Sequence, residues 1–172
     1  FMGFFWESWS LSIEEWFYIF LPLMLVILTR FLPSKKALLV AIGIMLIVPL
    51  LYRIGHADIK VNRFWWDVKF RKVVVMRLDT IIYGVLAAYI SYYYSAIWKK
   101  DAKPAFILGI AIIFITLYVP HPPNAFFTKT FYFSCTSIGT LLLLPYASSV
   151  KSFKTTFGKV ITHISLISYS MY

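Results

Sequence analysis

Two carboxylates, Glu14 and Glu15, stand directly before an apolar run over residues 16–28. An ionised acid beside such a run is costly unless it has a partner or a task. Ser12 and Glu15 have the spacing of an S-x-x-E capping box, in which each side chain satisfies a backbone N–H of the other. Acids also suit the positive end of the helix dipole. The box explains Ser12 and Glu15 as a helix start and leaves Glu14 without a structural role. On a helix Glu14 shares a face with Phe17 and Tyr18. That face is mostly apolar, so the reading turns Glu14 into the protein, where a carboxyl group can serve as a general acid or base.

A second group of ionisable residues lies in Val73-Val74-Val75-Met76-Arg77-Leu78-Asp79. Counted from Val73 at 1.5 Å per residue, Arg77 sits roughly 6 Å and Asp79 roughly 9 Å into a helix. Ionisable residues within a span face the bundle interior and have partners. Two positions apart, these two point to different sides of the helix, so each needs a partner elsewhere. Glu14 is available on the same side of the membrane. The structural alternative is that Arg77 snorkels to the interface and Asp79 caps a broken helix. His56, His121 and His163 have no metal-ligand spacing to one another, to Cys135 or to an acid, so no metal site is expected. No phosphate-binding glycine loop and no nucleophile elbow is present.

The elements that must position these residues follow from composition. Of the 172 residues 60% are hydrophobic and only 14% charged, against about 25% charged in a soluble domain. Aromatic residues, 20% of the chain, cluster near the ends of apolar runs, as in the belts of membrane proteins. Six apolar segments are legible, over residues 13–28, 37–52, 73–98, 105–119 and 130–147, with the last starting near 160. They are continuous and lack the alternation of barrel strands, so helices are expected. The fold class is therefore all-α, a polytopic transmembrane bundle of about six spans. Pro22, Pro49 and Pro145 fall where local kinks are tolerated. The chain opens at Phe1 without an initiator Met and stops at Tyr172 inside an apolar segment, so both ends are read as cuts.

The net charge of +10 is dispersed in short clusters between the runs. A nucleic-acid binder would gather it on one face, so no nucleic-acid partner is expected. Nine cations fall in three short loops (Arg30, Lys35 and Lys36; Lys99, Lys100 and Lys103; Lys151, Lys154 and Lys159), and seven fall in the loops of the other side. This bias places the three short loops in the cytoplasm and Glu14 and Arg77 at the outer face. The stretch Arg63-Phe64-Trp65-Trp66-Asp67 reads as an interfacial segment anchored by tryptophan. Cys135, the single cysteine, excludes an internal disulfide framework.

Three of these stretches resemble one family. Trp9-Ser10-Leu11-Ser12-Ile13-Glu14-Glu15-Trp16-Phe17-Tyr18, with Pro22, is similar to the W-S-L-S-x-E-x-x-F-Y-x-x-x-P signature of the acyltransferase-3 membrane proteins. Arg77-Leu78-Asp79 with Gly84 resembles that family's R-x-D-x-x-x-x-G element. Ile167-Ser168-Tyr169-Ser170-Met171-Tyr172 resembles the I-S-Y-S-x-Y start of its penultimate helix. The three occur in the family's order over nearly the whole chain.

The resemblance implies a ten-helix enzyme of the bacterial plasma (inner) membrane. Residues 1–172 would be a partial acyltransferase-3 domain, about helices four to nine, without the N-terminal helices and the last one. Such enzymes transfer an acyl group, often acetyl from acetyl-CoA, to hydroxyls of surface glycans or related, including lipid-linked, acceptors. The family's main base, a histidine on its first helix, would lie outside this sequence. On that basis Glu14, Arg77 and Asp79 would be catalytic: Glu14 as acid, base or partner of the histidine, Arg77 against developing negative charge, Asp79 orienting its neighbours. Ser10, Ser12 and Tyr18 would contact substrate. The partners are the lipid bilayer, an acyl-CoA donor and the acceptor, with no metal. The competing readings are a transporter or flippase subunit, in which the same charges line a path, and a non-catalytic membrane fragment.

Overall fold

The computed structural model describes residues 8–149 together with 158, 163, 164 and 167, with side chains described from Ser10 onward. The described residues form helices and connecting turns, with no strand among them. The order is α1 (Ser8–Thr29), α2 (Ser34–Gly55), α3 (Arg63–Trp66), α4 (Leu78–Tyr93), α5 (Ser95–Lys100), α6 (Ala102–Tyr118), α7 (Phe126–Thr130) and α8 (Tyr132–Ser149). A π turn, Asp67–Arg71, and a 3-10 turn, Val74–Met76, lie between α3 and α4. The sixth apolar segment and the I-S-Y-S-x-Y stretch fall almost wholly outside the described residues.

Three stretches are long and apolar enough to cross a membrane: Ser10–Thr29, Ser34–Gly55 and Val74–Tyr93. At 1.5 Å per residue, 20 residues match the roughly 30 Å hydrocarbon core. The fourth, Ala102–Tyr118, is apolar but has only 17 residues. In α8 the 18 residues are diluted by Ser134, Thr136, Ser137 and Thr140. The outward faces of α1 and α6 carry Trp16, Ile19, Leu23, Ile107, Phe114 and Leu117 uncovered. Such apolar surface is stable against lipid and costly against water.

The core explains the order of packing. On α2 the buried positions Ala37, Ala41, Met45, Pro49 and Arg53 recur every four residues, which aligns them on one face. Ile42 and Met45 of that helix meet Phe17 of α1 and Ile82 and Tyr89 of α4. The tightest helix crossing is between α6 and α8. A Cβ on Gly109 would lie 2.7 Å from the carbonyl oxygen of Gly139, and one on Gly139 would lie 2.7 Å from Ile113 Cγ1. Only glycine lets these backbones approach so closely.

Contacts at the two ends fix how the helices alternate. At one end the Lys35 ammonium lies 4.8 Å and 5.0 Å from the ring centroids of Tyr93 and Tyr94. At that end the Trp98 indole N–H also donates to Ser148 Oγ at 3.2 Å. At the other end the Val61 N–H donates to Asn124 Oδ1 at 2.7 Å, and Lys129 meets the 57–59 turn. The loops after α1 and α5 thus gather at one end, and Arg53, Arg77 and Lys129 at the other, the alternation expected from the cation count.

Two local expectations are corrected. Because α1 already runs through Ser8, Ser12 lies inside the helix and cannot be its N-cap; the Ser12–Glu15 capping box is not formed. The stretch 73–98 is not one helix. It is 3-10 over Val74–Met76, breaks at Arg77 (φ −125°, ψ −2°), and breaks again at Tyr94 (φ −132°, ψ 43°). Arg77 is therefore the N-cap residue of α4 rather than a residue deep in a continuous helix. The interfacial segment forms α3, capped by Asn62 Oδ1, which accepts from the Trp65 N–H at 2.9 Å.

Candidate functional site

The last full turn of α2 carries Arg53, the first turn of α4 carries Asp79, and the second position of α8's inward stripe carries Ser134. These three side chains meet. Arg53 Nη2 donates to Asp79 Oδ2 at 2.6 Å and Nη1 to Asp79 Oδ1 at 3.3 Å, a bidentate pair. Nη1 also donates to the Met76 carbonyl at 3.0 Å, and Nη2 to Ser134 Oγ at 2.8 Å. The Ser134 hydroxyl in turn donates to Asp79 Oδ2 at 3.1 Å. Arg53 is 0% and Asp79 1% exposed. Of the guanidinium's five N–H groups, only Nε–H meets no partner among the described residues. A charge pair out of water is held by such geometry and by the extra hydrogen bonds, and removing one partner costs about 3–5 kcal/mol.

Asp79 thus has a partner other than Arg77, as the two-residue spacing requires, and that partner is Arg53. Arg77 lies beside the pair. Its guanidinium carbon is 4.4 Å from the Phe133 ring centroid, and that of Arg53 is 6.0 Å from the same ring. Among the described residues, the charged neighbours of Arg77 include Asp79, Arg71 and Arg53, with Tyr132 close by. No ion pair joins Arg77 to Glu14 among the described residues. The direct Arg77–Glu14 ion pair expected from the sequence is thus not formed, and Arg77 instead neighbours Asp79. The break at Arg77 is the physical reason: it turns the side chain toward α8 and Phe133.

The α1 residues divide by face. Ile13 and Phe17 are buried, whereas Ser10, Ser12 and Glu14 are half-buried and Glu15 is exposed. Tyr18 is 68% exposed. The buried stripe therefore passes one position before Glu14 and Tyr18, and those two lie at its edge and outside it instead of pointing into the bundle. Gly84, the glycine of the R-x-D-x-x-x-x-G element, has nothing within 4 Å of an added Cβ, so close packing within the described chain does not require it there.

Two residues of this end are not apparent from their sequence context. Arg53 reads as a loop cation. Lys129 reads as another, yet it is 2% exposed, and its ammonium donates to the carbonyls of Ala57 and Ile59 at 2.7 Å each. Asp67 instead serves the surface, pairing with Arg71 at 2.9 Å and Lys72 at 3.2 Å. No group of three His, Cys, Asp or Glu side chains converges among the described residues. No protein-family model, curated protein or solved structure matches the chain.

Such an arrangement can hold an arginine rigidly at this end of the bundle. The Arg53–Asp79 pair ties α2 to α4, Ser134 ties both to α8, and Arg77 is set on the Phe133 ring with a carboxylate near it.

Proposed function

We propose that the chain is part of a multi-pass acyltransferase of the bacterial plasma membrane. It moves an acyl group, acetyl from acetyl-CoA in the simplest case, to a hydroxyl of a cell-surface glycan or related acceptor. What supports this reading is the fixed placement of Arg77 beside the buried Arg53–Asp79 pair, in the element that resembles the family's R-x-D-x-x-x-x-G. About six spans, with the basic loops after α1 and α5 in the cytoplasm, fit that assignment.

In this reaction the acceptor hydroxyl oxygen attacks the thioester carbonyl carbon. A C–O bond forms, the C–S bond breaks, the hydroxyl proton passes to a base and CoA leaves as its thiol or thiolate. Negative charge builds on the carbonyl oxygen, and a guanidinium held in place is suited to meet it. Arg77 takes that role. Asp79 and Arg53, sealed from solvent, act as positioning residues. Glu14, half-buried on α1, is the acid or base partner at the edge of the same end, with Ser10 and Ser12 within about one turn of it on α1 and Tyr18 on the flank. A transporter reading is weaker, because Arg53 and Asp79 are consumed by each other instead of lining a path.

The test is transfer of radiolabelled acetyl from acetyl-CoA to envelope glycan in membranes that contain the natural protein. Arg77→Ala is expected to lower transfer by about 10²–10³, the usual loss for one oxyanion donor, and Glu14→Gln to lower it more than Glu15→Gln. Absence of acetyl transfer by the wild-type protein, with any of the natural acyl-CoA donors, refutes the assignment.

A further inference from the structure

A polar cavity of about 210 Å³ lies at the Arg53–Asp79 end, between the close of α6, the turn that follows it, α7 and α3. Two of the buried polar atoms among its lining residues meet no partner among the described residues: the Nε1–H of Trp66 and the hydroxyl of Thr128. Thr128 is 4% exposed. Its neighbours behave differently. The Thr130 hydroxyl donates to the Phe126 carbonyl at 2.7 Å, and the Thr116 hydroxyl donates to the Ile112 carbonyl at 2.8 Å. Buried polar groups are nearly always satisfied, so two unmet ones on one cavity mark a place where the acceptors of a guest would be met.

The charge of the lining narrows the ligand. Arg63 is its one Lys or Arg, and no Asp or Glu lines it. Arg63 makes no ion pair among the described residues, and Asp67, four residues on, is taken by Arg71 and Lys72. An indole N–H can only donate, which excludes a cation there. His121 is committed through Nε2, which donates to the Thr116 carbonyl at 3.1 Å. The remaining walls include the aromatic rings of Tyr118 and Tyr132.

We propose that this cavity binds a small monocarboxylate. Its carboxylate is taken by the Trp66 N–H, the Thr128 hydroxyl and the Arg63 guanidinium, and its body lies against the aromatic walls. One guanidinium with two neutral donors balances a single negative charge; a phosphate dianion would bring two. Trp66 also stacks on Phe133, with ring centroids 5.5 Å apart and planes 16° apart, and Phe133 carries Arg77. Occupancy of the cavity therefore sets the ring on which Arg77 rests. The site stands on its own lining and does not require acyl transfer.

Saturation-transfer NMR on the protein in lipid nanodiscs tests it, with benzoate as probe and benzamide as its uncharged isostere. Benzoate is expected to bind saturably and benzamide at least about tenfold more weakly, the loss of one charge-assisted hydrogen bond. Thr128→Val removes a hydroxyl that holds nothing in the protein, so the variant should melt as the wild type does and bind benzoate about tenfold more weakly. Trp66→Phe and Arg63→Gln should weaken binding by a similar factor, while Arg30→Gln at the opposite end should leave it unchanged. No benzoate binding by the wild type, equal binding of the two probes, or undiminished binding in Trp66→Phe and Arg63→Gln overturns the proposal.

Discussion

Replacing Asp79 by leucine is the sharpest test of the buried pair. The substitution removes the acceptors of two guanidinium bonds, at 2.6 Å and 3.3 Å, and of the Ser134 hydroxyl at 3.1 Å. Arg53 would remain 0% exposed, with the Met76 carbonyl and Ser134 as its remaining acceptors. A guanidinium cannot shed its proton, so the charge stays. Breaking one partner of a buried pair costs about 3–5 kcal/mol. At about 2–4 °C per kcal/mol for a chain of this size, Asp79→Leu should lower the melting temperature by roughly 6–20 °C. The double variant Arg53→Met, Asp79→Leu removes both charges and leaves apolar side chains of similar reach. It should melt above Asp79→Leu alone, because replacing a whole buried pair by apolar groups is near neutral. The lone thiol supplies the assay. Cys135 is half-buried on α8, next to Ser134, so a maleimide dye that fluoresces on reaction reports unfolding in mild detergent. If Asp79→Leu melts within about 2 °C of the wild type, or if the two single losses simply add, the pair does not hold α2 to α4.

Further outcomes follow from other contacts. Gly109→Ala should cost about 1–3 kcal/mol, and more than Gly139→Ala, because the added Cβ meets a backbone carbonyl at 2.7 Å in the first case and an isoleucine side chain in the second; equal melting of the two would contradict the close crossing. Gly84→Ala should be tolerated, since nothing lies within 4 Å of the added carbon, and a thermal melt beside that of Gly109→Ala checks it. Lys129→Met should cost about 1–3 kcal/mol through the Ala57 and Ile59 carbonyls it leaves unmet, and should speed tryptic cleavage at Lys60; unaltered proteolysis would show that Lys129 does not staple that turn. In a Cys135→Ser background, a cysteine at Lys60 should react with an impermeant maleimide on intact cells and one at Lys100 should not; the reverse pattern would invert the orientation.

The helical bundle is legible in the sequence because continuous apolar runs near membrane length leave the backbone no other way to satisfy itself. The partner of Asp79 is harder to see. Arg53 follows the apolar run 37–52 and passes for a loop cation, yet it continues the four-residue spacing Ala37, Ala41, Met45, Pro49. That stripe is the signal that could have placed it in the core. The breaks are fainter still. No proline or glycine marks Arg77 or Tyr94, and only the run Val73-Val74-Val75 hints that the helix does not start there, since β-branched side chains are stiff in a helix. The Ser12–Glu15 spacing is that of a capping box, but spacing alone cannot say where a helix begins, and α1 runs past it to Ser8. Lys129 carries no signal, standing alone in the aromatic stretch 126–133.

These illegible features belong together. Arg53 donates to the Met76 carbonyl, which stands at the break before α4, and Lys129 donates to the carbonyls of Ala57 and Ile59, just beyond the end of α2. Each buried cation thus meets backbone where a helix has stopped. Irregular backbone at membrane depth persists only where protein groups satisfy it, and a cation persists there only where acceptors surround it. The broken helix supplies the acceptors and the cation supplies the donors, so neither is stable without the other. Straightening the 3-10 turn into α4 would take the Met76 carbonyl from Arg53 and turn Arg77 off the Phe133 ring. The local break is therefore the device that sets two arginines near one aromatic ring, Phe133, with the Asp79 carboxylate beside them.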